Sequence, residues 1–184
     1  MLTIIQTENN LSFLDLVKKR RTTRKFTEQA LTQEEVVDLM KVPLLAPSSR
    51  NRQPLQSILV DNKDDLSRLS ECKPSGAQPL KHAALAVVVL ADSNLSDTWI
   101  EDASIASSMI LLQAQALNLG ACWIQIRLRS FPDGTSAEEI VRSILNIPDD
   151  INVLSIIAIG HKAAELPAYN DEDLKWEKVH VDKF

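Results

Sequence analysis

The sequence predicts one domain that interleaves helices with strands at irregular spacing, with no dinucleotide- or P-loop-type nucleotide fold. At 184 residues the chain has the length of a single domain. Two capping-box signatures, Thr32-Gln33-Glu34-Glu35 and Ser136-Ala137-Glu138-Glu139, open helical patterns. Short apolar runs, such as Ala83–Ala91 with its Val87-Val88-Val89, read instead as strands. With only 4 glycines, no Gly-rich turn follows any of these runs, so a phosphate would have to be held mainly by side chains.

Taken in order, residues 1–10 are expected as a flexible N-terminus. Ser12 caps a first helix through Phe13, Leu14, Leu16 and Val17 that ends near Arg20. The Thr32 box opens a second helix, carrying Val36, Val37, Leu39 and Met40, that stops before Pro43. Leu55–Val60 is a strand and Asp64–Glu71 a short helix. Ala83–Ala91, nearly all apolar, is a buried central strand. Trp99–Asn118 is the longest helix, with Gly120 as its C-cap glycine. That helix is apolar or small almost all round, a pattern that means burial on every side. In a chain this short, part of its cover is expected from a second copy. Ala121–Ile126 is a strand, the Ser136 box starts a helix ending near Asn146, and Val153–Ile159 is the last strand, closed by Gly160. Residues 163–184 space Trp176, Val179, Val181 and Phe184 among charges, which suits an arm lying over another surface.

Composition narrows the function. The chain is 45% hydrophobic and 24% charged, as in soluble globular proteins. A net charge of −5 argues against general binding to nucleic acid or to a membrane surface. No stretch reads as a bilayer span, and the start lacks the basic and apolar regions of a signal peptide. Cys72 and Cys122 lack metal-ligand spacing and are expected as free thiols in the cytoplasm. Asp92, Asp97, Glu101 and Asp102 straddle a loop and a helix start, where acids are expected anyway, and no metal site is assigned.

Against this acidic background, Arg20-Arg21-Thr22-Thr23-Arg24-Lys25-Phe26 stands out. Guanidinium forks and hydroxyls converging on one anion are good phosphate ligands. Ala46-Pro47-Ser48-Ser49-Arg50-Asn51-Arg52-Gln53-Pro54 supplies hydroxyls and carboxamides able to pair with a heteroaromatic edge. A phosphorylated aromatic cofactor such as flavin mononucleotide fits both halves. Each segment also has a plainer reading, a basic helix end complementing its dipole and a Pro-Ser turn entering a strand.

These segments resemble the nitroreductase family of FMN enzymes. The first is similar to its Arg-Arg-Ser-x-Arg-x-Phe opening and the second to its Ala-Pro-Ser-x-x-Asn-x-Gln-Pro motif. Asp102 with the long helix, then Leu119-Gly120-Ala121-Cys122-Trp123-Ile124, resembles the central helix and Leu-Gly-x-Cys-Trp-Ile strand. Ile157-Ala158-Ile159-Gly160-His161 looks like the closing Ile-x-Ile-Gly turn. The matches follow family order from about Leu11 to the C-terminus. The resemblance implies an α+β fold with a mixed, mainly antiparallel sheet flanked by helices. It also implies a homodimer with exchanged C-terminal arms and shared FMN sites. The implied activity passes hydride from NADH or NADPH through FMN to a nitroaromatic, quinone or similar small acceptor, by a ping-pong mechanism.

By position the resemblance places Arg20 and Thr22 on the phosphate and ribityl chain, and Arg24 at the pyrimidine end of the ring. A cation there would stabilise the reduced, anionic flavin. Arg21 joins this set, although it and Lys25 are expected chiefly as solvated or ion-paired. Pro47, Ser48, Ser49 and Asn51 would contact the ring, partly from the partner, with Gln53 fitting contact or structure equally. Trp123, Ile124 and Gln125 would line N5 through their backbone, although Cys122-Trp123-Ile124 as plain sequence reads as core, and Ser75-Gly76-Ala77 fits either a close approach of Gly76 to the ring or an ordinary turn. Gly160 and Lys162 would bring a second cation to the phosphate. Leu55, Gln125 and the acidic run Asn170-Asp171-Glu172-Asp173 depart from the usual pattern. No side chain is assigned a catalytic role, since the flavin carries the chemistry; His161 and His180 could suggest acid–base work, of which hydride transfer to flavin needs little, and His82 is read as structural. Arg127 and Arg129 read as a solvated strand edge or as an attractor for an anionic donor. The site is expected to be open or covered by the partner. Two alternatives stand beside the enzyme: a non-catalytic FMN-binding dimer that stores or senses flavin, and a basic-segment nucleic-acid binder, which the scarcity of aromatics disfavours.

Overall fold

A computed structural model describes residues 12–184; the expected flexible N-terminus lies outside the described residues. Five helices and four strands follow one another: α1 (Phe13–Lys19), α2 (Gln33–Leu44), β1 (Leu55–Val60), α3 (Lys63–Leu69), β2 (Leu85–Asp92), α4 (Trp99–Ala116), β3 (Leu119–Gln125), α5 (Ala137–Leu145) and β4 (Ile151–His161). The strands form one sheet in the order β1-β2-β4-β3, with every neighbouring pair antiparallel. The only parallel pairing among the described residues is an isolated bridge between Thr22 and Ala121. The architecture is therefore α+β, as expected, with its parallel component reduced to that bridge.

Side-chain alternation sends the two sheet faces into two cores. Cys122, Ile124, Val88 and Ile156 pack on one face with Leu66 and Leu69 of α3 and Val141 of α5. Ala121, Val87, Ile157 and Ile159 pack on the other with Ala103, Ile110 and Ala114 of α4 and Leu39 of α2. Because β2 and β4 are central, both read as nearly unbroken apolar runs. A bulge at Leu154 interrupts their register between Val89 and Leu90. The Leu154 carbonyl there accepts both Ile126 N–H and Arg127 N–H, which ends β3 and turns the chain outward.

Local signals behave as read at most termini. Ser12 caps α1, both capping boxes are closed, and α5 ends on Asn146 in the left-handed region. Besides shifts of one or two residues at strand ends, three expected stop signals act differently. Helix α2 continues through Pro43 into Leu44. Pro43 sits in the last turn, where its fixed φ suits a helix and only one N–H is lost; Pro43 and Leu39 are both buried. Gly120 is not a helix cap. Helix α4 gives way at Leu117, Asn118 takes the left-handed conformation (φ 58°), and Gly120 lies inside β3 opposite Gly160. Likewise Gly160 does not end β4, which runs on to His161.

The reason both positions are glycine is a crossing segment. Thr23 N–H donates to the Ala121 carbonyl, Thr27 N–H to the His161 carbonyl, and Ala163 N–H to the Lys25 carbonyl. Residues 23–26 thus pass over the end of the sheet, directly above the Gly120–Gly160 pair. A Cβ on Gly120 would lie 2.6 Å from Thr23 Cγ2, and one on Gly160 3.0 Å from the Phe26 ring. Phe26 itself is buried in the α3/α5 core.

Helix α4 is only partly covered. Ala103, Ala106, Ile110 and Ala114 are buried, Ile105 is exposed, and Met109 and Leu112 are half-buried. Past residue 173 the tail leaves Leu174, Trp176, Val179, Val181 and Phe184 exposed. No described helix is long and apolar enough to cross a membrane.

Candidate functional site

The basic segment lies along the outer edge of β3. That strand is at the end of the sheet, so its ladder is paired on one side only. Ala121 turns its carbonyl outward to Thr23 N–H, and by antiparallel alternation Trp123 and Gln125 also turn their N–H and C=O groups outward. Gln125 uses its outward carbonyl to accept the Lys73 ammonium at 2.8 Å. Arg24 and Lys73 both act on the Cys122 thiol, from the basic segment and from the loop after α3. Burial nevertheless dominates, and Cys122 titrates above the ordinary thiol range. The β3 edge therefore has Thr22 bridged to Ala121 at one end and Lys73 on Gln125 at the other, with Arg24 close enough to act on Cys122.

Side chains on the α4 face hold this edge in place. Trp123 Nε1 donates to Gln125 Oε1 at 3.0 Å, and Gln125 Nε2 donates to the Arg127 carbonyl at 2.9 Å. The Gln125 side chain is thus aligned along its own strand. Arg127 stacks over Trp99 with 5.8 Å from its guanidinium carbon to the ring centroid.

The polar side chains of the first motif divide into two uses. Arg20, Thr22 and Arg24 carry no hydrogen bond to another described side chain. Arg21 turns to the tail, donating to the Pro167 carbonyl and stacking 4.3 Å from the Tyr169 ring centroid. With Tyr169 N–H on the Lys18 carbonyl and Lys18 paired to Asp171, it clamps residues 167–171 against α1. Lys162 is also engaged, its largely covered side chain donating to Asn118 Oδ1 at 3.1 Å and to Glu165 at 3.3 Å. Its stem lies beside Gly120 and the crossing Thr23, so Gly160 and Lys162 sit beneath the basic segment.

The Pro-Ser segment hangs on the other side of the molecule, at the start of α4 and the entry to β1. The backbone is left-handed at Arg50 (φ 51°), Asn51 (φ 54°) and Gln53 (φ 48°). Such conformations cost of order 1–3 kcal/mol each in non-glycine residues and persist where the surroundings impose them. Here the imposing group is Asp102, a buried carboxylate that accepts Ser49 N–H and the Ser96 hydroxyl, each at 3.0 Å. Ser48 Oγ accepts Gln53 N–H at 2.9 Å and closes the loop from inside. Pro47, Asn51 and Gln53 are exposed, Ser48 and Ser49 half-buried. Within one chain this segment attaches at the β1 side and the basic segment at the β3 side, on opposite edges of the sheet.

Sequence reasoning missed Lys73. Its amine connects Gln125 to the loop that carries Gly76, 3.7 Å from where a Gly76 Cβ would stand. Burial lowers its pKa, and nearby Arg129 lowers it further. A lysine preceding Pro74 carries no periodic or motif signal, so only the fold reveals its position. His161 is half-buried with Nε2 unpartnered and 3.9 Å from Glu35. His82 and His180 are exposed.

Comparison with known proteins decides what this arrangement belongs to. The sequence matches the family described as the nitroreductase family over residues 17–87 and 73–161. The chain belongs to the nitroreductase family. Among solved structures it is similar to an FMN-dependent nitroreductase of Clostridium difficile R20291, with 44% identity and a TM-score of 0.91, covering 93% of this chain and 99% of that one. A protein of Archaeoglobus fulgidus, provisionally named an NADH dehydrogenase/NAD(P)H nitroreductase, is 31% identical over 93% of this chain and 98% of its own length. An FMN reductase [NAD(P)H] of Bacillus subtilis is 25% identical over 89% of this chain and 72% of its own. As a nitroreductase-family member the chain is an oxidoreductase.

Proposed function

We propose that the protein is an FMN-dependent NAD(P)H oxidoreductase that passes hydride to a small acceptor, such as a nitroaromatic or a quinone, by a ping-pong mechanism. The observation that carries this reading is the β3 edge, where outward peptide groups of Trp123 and Gln125 lie between Thr22, bridged to Ala121, and Lys73, on the Gln125 carbonyl; Arg24 is close enough to act on Cys122. Cations, a hydroxyl and outward peptide groups along one line are the donor set that an elongated anionic heteroaromatic ring requires. The similarity to an FMN-dependent nitroreductase supports the choice of flavin.

In this reading Arg20 and Thr22 bind the phosphate and ribityl chain, and Arg24 stabilises negative charge at the pyrimidine end. Trp123 and Gln125 steady the ring through their outward peptide groups, whereas Ile124 turns its own into the ladder with β4; the Gln125 side chain is tied to Trp123 and Arg127 along its own strand. Bound FMN supplies the hydride-accepting and hydride-donating centre. Gly160 serves by letting Phe26 and the basic segment cross close to the sheet, and Lys162 adds positive charge below the phosphate.

The Pro-Ser segment reaches the same ring from a second copy of the chain. Its place on the opposite edge of the sheet, the open stripe of α4 and the uncovered apolar tail all support a homodimer with shared sites and exchanged arms formed by residues 163–184. The protein functions as one cytoplasmic domain.

The test is an absorption spectrum of the purified protein before and after anaerobic NADPH, then NADH. Flavin bands that bleach support the enzyme. A yellow protein that resists both donors supports storage or sensing of flavin. A colourless protein that takes up no FMN overturns the cofactor assignment.

A further inference from the structure

The cavity between α3, the turn before β2 and the 131–135 turn shares only Lys73 with the flavin site described above. It measures about 430 Å³ and is lined by Lys73, Lys81, His82, Gln78 and Phe131, with Glu71 the single acid. In a chain of net charge −5, two lysines and a histidine around one cavity run against the overall field; Lys81 and His82 are exposed, and the Lys73 ammonium rests on the Gln125 carbonyl. Gln78 spends its carbonyl on Gly76 N–H at 2.8 Å, which leaves its amide NH₂ as a further donor. The Phe131 ring is half-exposed in this wall, held by a tight turn in which Phe131 N–H donates to Thr135 and Gly134 N–H donates back to Phe131. Cationic donors suit phosphate, and an exposed aromatic face suits a purine.

The cavity is also continuous with the β3 edge. Lys73 lines it and at the same time donates to the Gln125 carbonyl, at the end of the strand proposed to face the flavin. Arg129 stands close enough to depress the Lys73 pKa and adds positive charge at the junction.

We infer that this cavity binds the phosphorylated adenosine end of the nicotinamide donor, placing its nicotinamide toward the β3 edge; the inference rests on the flavin reading above. The shared chemistry is adenosine bearing phosphate, supplied by either NADPH or NADH.

The test uses FMN-loaded protein, wild type and the variants Lys81→Glu/His82→Glu and Phe131→Ala, in rapid anaerobic flavin reduction at varied NADPH and NADH. The apparent Kd of the donor should rise roughly tenfold in each variant, the worth of one charge-assisted or stacking contact, with the limiting rate unchanged. A larger rise for NADPH assigns the 2′-phosphate to the cavity, and an equal rise assigns the common pyrophosphate; either supports the inference. Calorimetric titration of wild-type holoprotein with adenosine 2′,5′-bisphosphate and with 5′-AMP needs no variant to fold. Binding that NADPH competes away supports the inference, and binding of neither probe overturns it. An unchanged donor Kd in yellow, bleachable variants also overturns it while leaving the flavin reading intact. Failure of that reading shows instead as wild-type protein that takes up no FMN.

Discussion

The carboxylate of Asp102, four residues into α4, accepts the backbone N–H of Ser49 at 3.0 Å while its other oxygen accepts the Ser96 hydroxyl at the same distance. One buried side chain thereby fixes a loop with three left-handed non-glycine residues. Replacing Asp102 with Ala leaves Ser49 N–H without its acceptor and the Ser96 hydroxyl with Thr98 Oγ1 alone, at a total cost of about 1–3 kcal/mol. Lower thermal stability is expected, together with weaker FMN binding and an altered near-UV circular dichroism of the bound flavin. Asp102→Asn keeps an acceptor for Ser49 and should restore most of both. If Asp102→Ala changes stability but leaves flavin affinity and dichroism untouched, the loop does not reach the ring.

Gly120 is expected to reject even one methyl group. Its Cβ would stand 2.6 Å from Thr23 Cγ2 and 2.8 Å from Thr23 Cβ. Thr23 is buried and tied to Ala121, so it has little room to yield. Gly120→Ala should therefore cost roughly 1–3 kcal/mol of overpacking, read as a lower denaturation midpoint. The double variant Gly120→Ala/Thr23→Ser, which removes the clashing Cγ2, should recover part of it. Equal stability of Gly120→Ala and wild type would contradict the crossing of residues 23–26 over the sheet.

Arg20→Ala should weaken FMN binding by roughly 1.5–3 kcal/mol, the worth of a hydrogen bond to a charged group. Arg21→Ala should leave FMN affinity near wild type, because Arg21 is committed to Pro167 and Tyr169. Flavin fluorescence titration of both apoproteins separates them. Equal losses would mean that the tail clamp, rather than a phosphate contact, controls the site.

The thiols give a pH signature. Burial pushes Cys72 up to about 11 and raises Cys122 as well. Folded-state pKa values above the unfolded ones mean that the native state retains protons that the unfolded chain has lost. This stabilisation is complete below the unfolded thiol pKa and is lost as pH rises through the folded value. Denaturation midpoints should thus fall between about pH 9 and 11, and Cys72→Ala should flatten that decline. Both thiols should react slowly with a maleimide at pH 8 until denaturant is added. Fast labelling of the native protein would show that these positions are open.

Deleting residues 174–184 removes Trp176, Val179, Val181 and Phe184, all exposed in the single chain. If the arm grips a partner, sedimentation should show a dimer that dissociates at higher concentration than the full-length protein. A full-length protein that sediments as a monomer would sink the shared-site proposal.

Much of this was legible in the sequence because it depends on near neighbours. Caps, capping boxes and apolar runs are set by residues within about one turn or one strand, and helix and strand identities followed from them. The two polar motifs were legible for the same reason, each being continuous in sequence. What depends on distant residues was not. Gly120 looked like a helix cap because it follows α4, yet its lack of a side chain answers to Thr23, nearly a hundred positions earlier. Pro43 looked like a stop because its missing N–H is a local cost, while the packing of Leu39 and Pro43 that offsets it is tertiary. Lys73 and Arg21 differ from other cations of the chain only in where their heads come to rest. The sequence by itself determined the family, the elements and the chemistry available. The tertiary structure alone decided which cations are tied to the tail and which to the β3 edge, because a side chain's partners are fixed by three-dimensional proximity and not by its position in the chain.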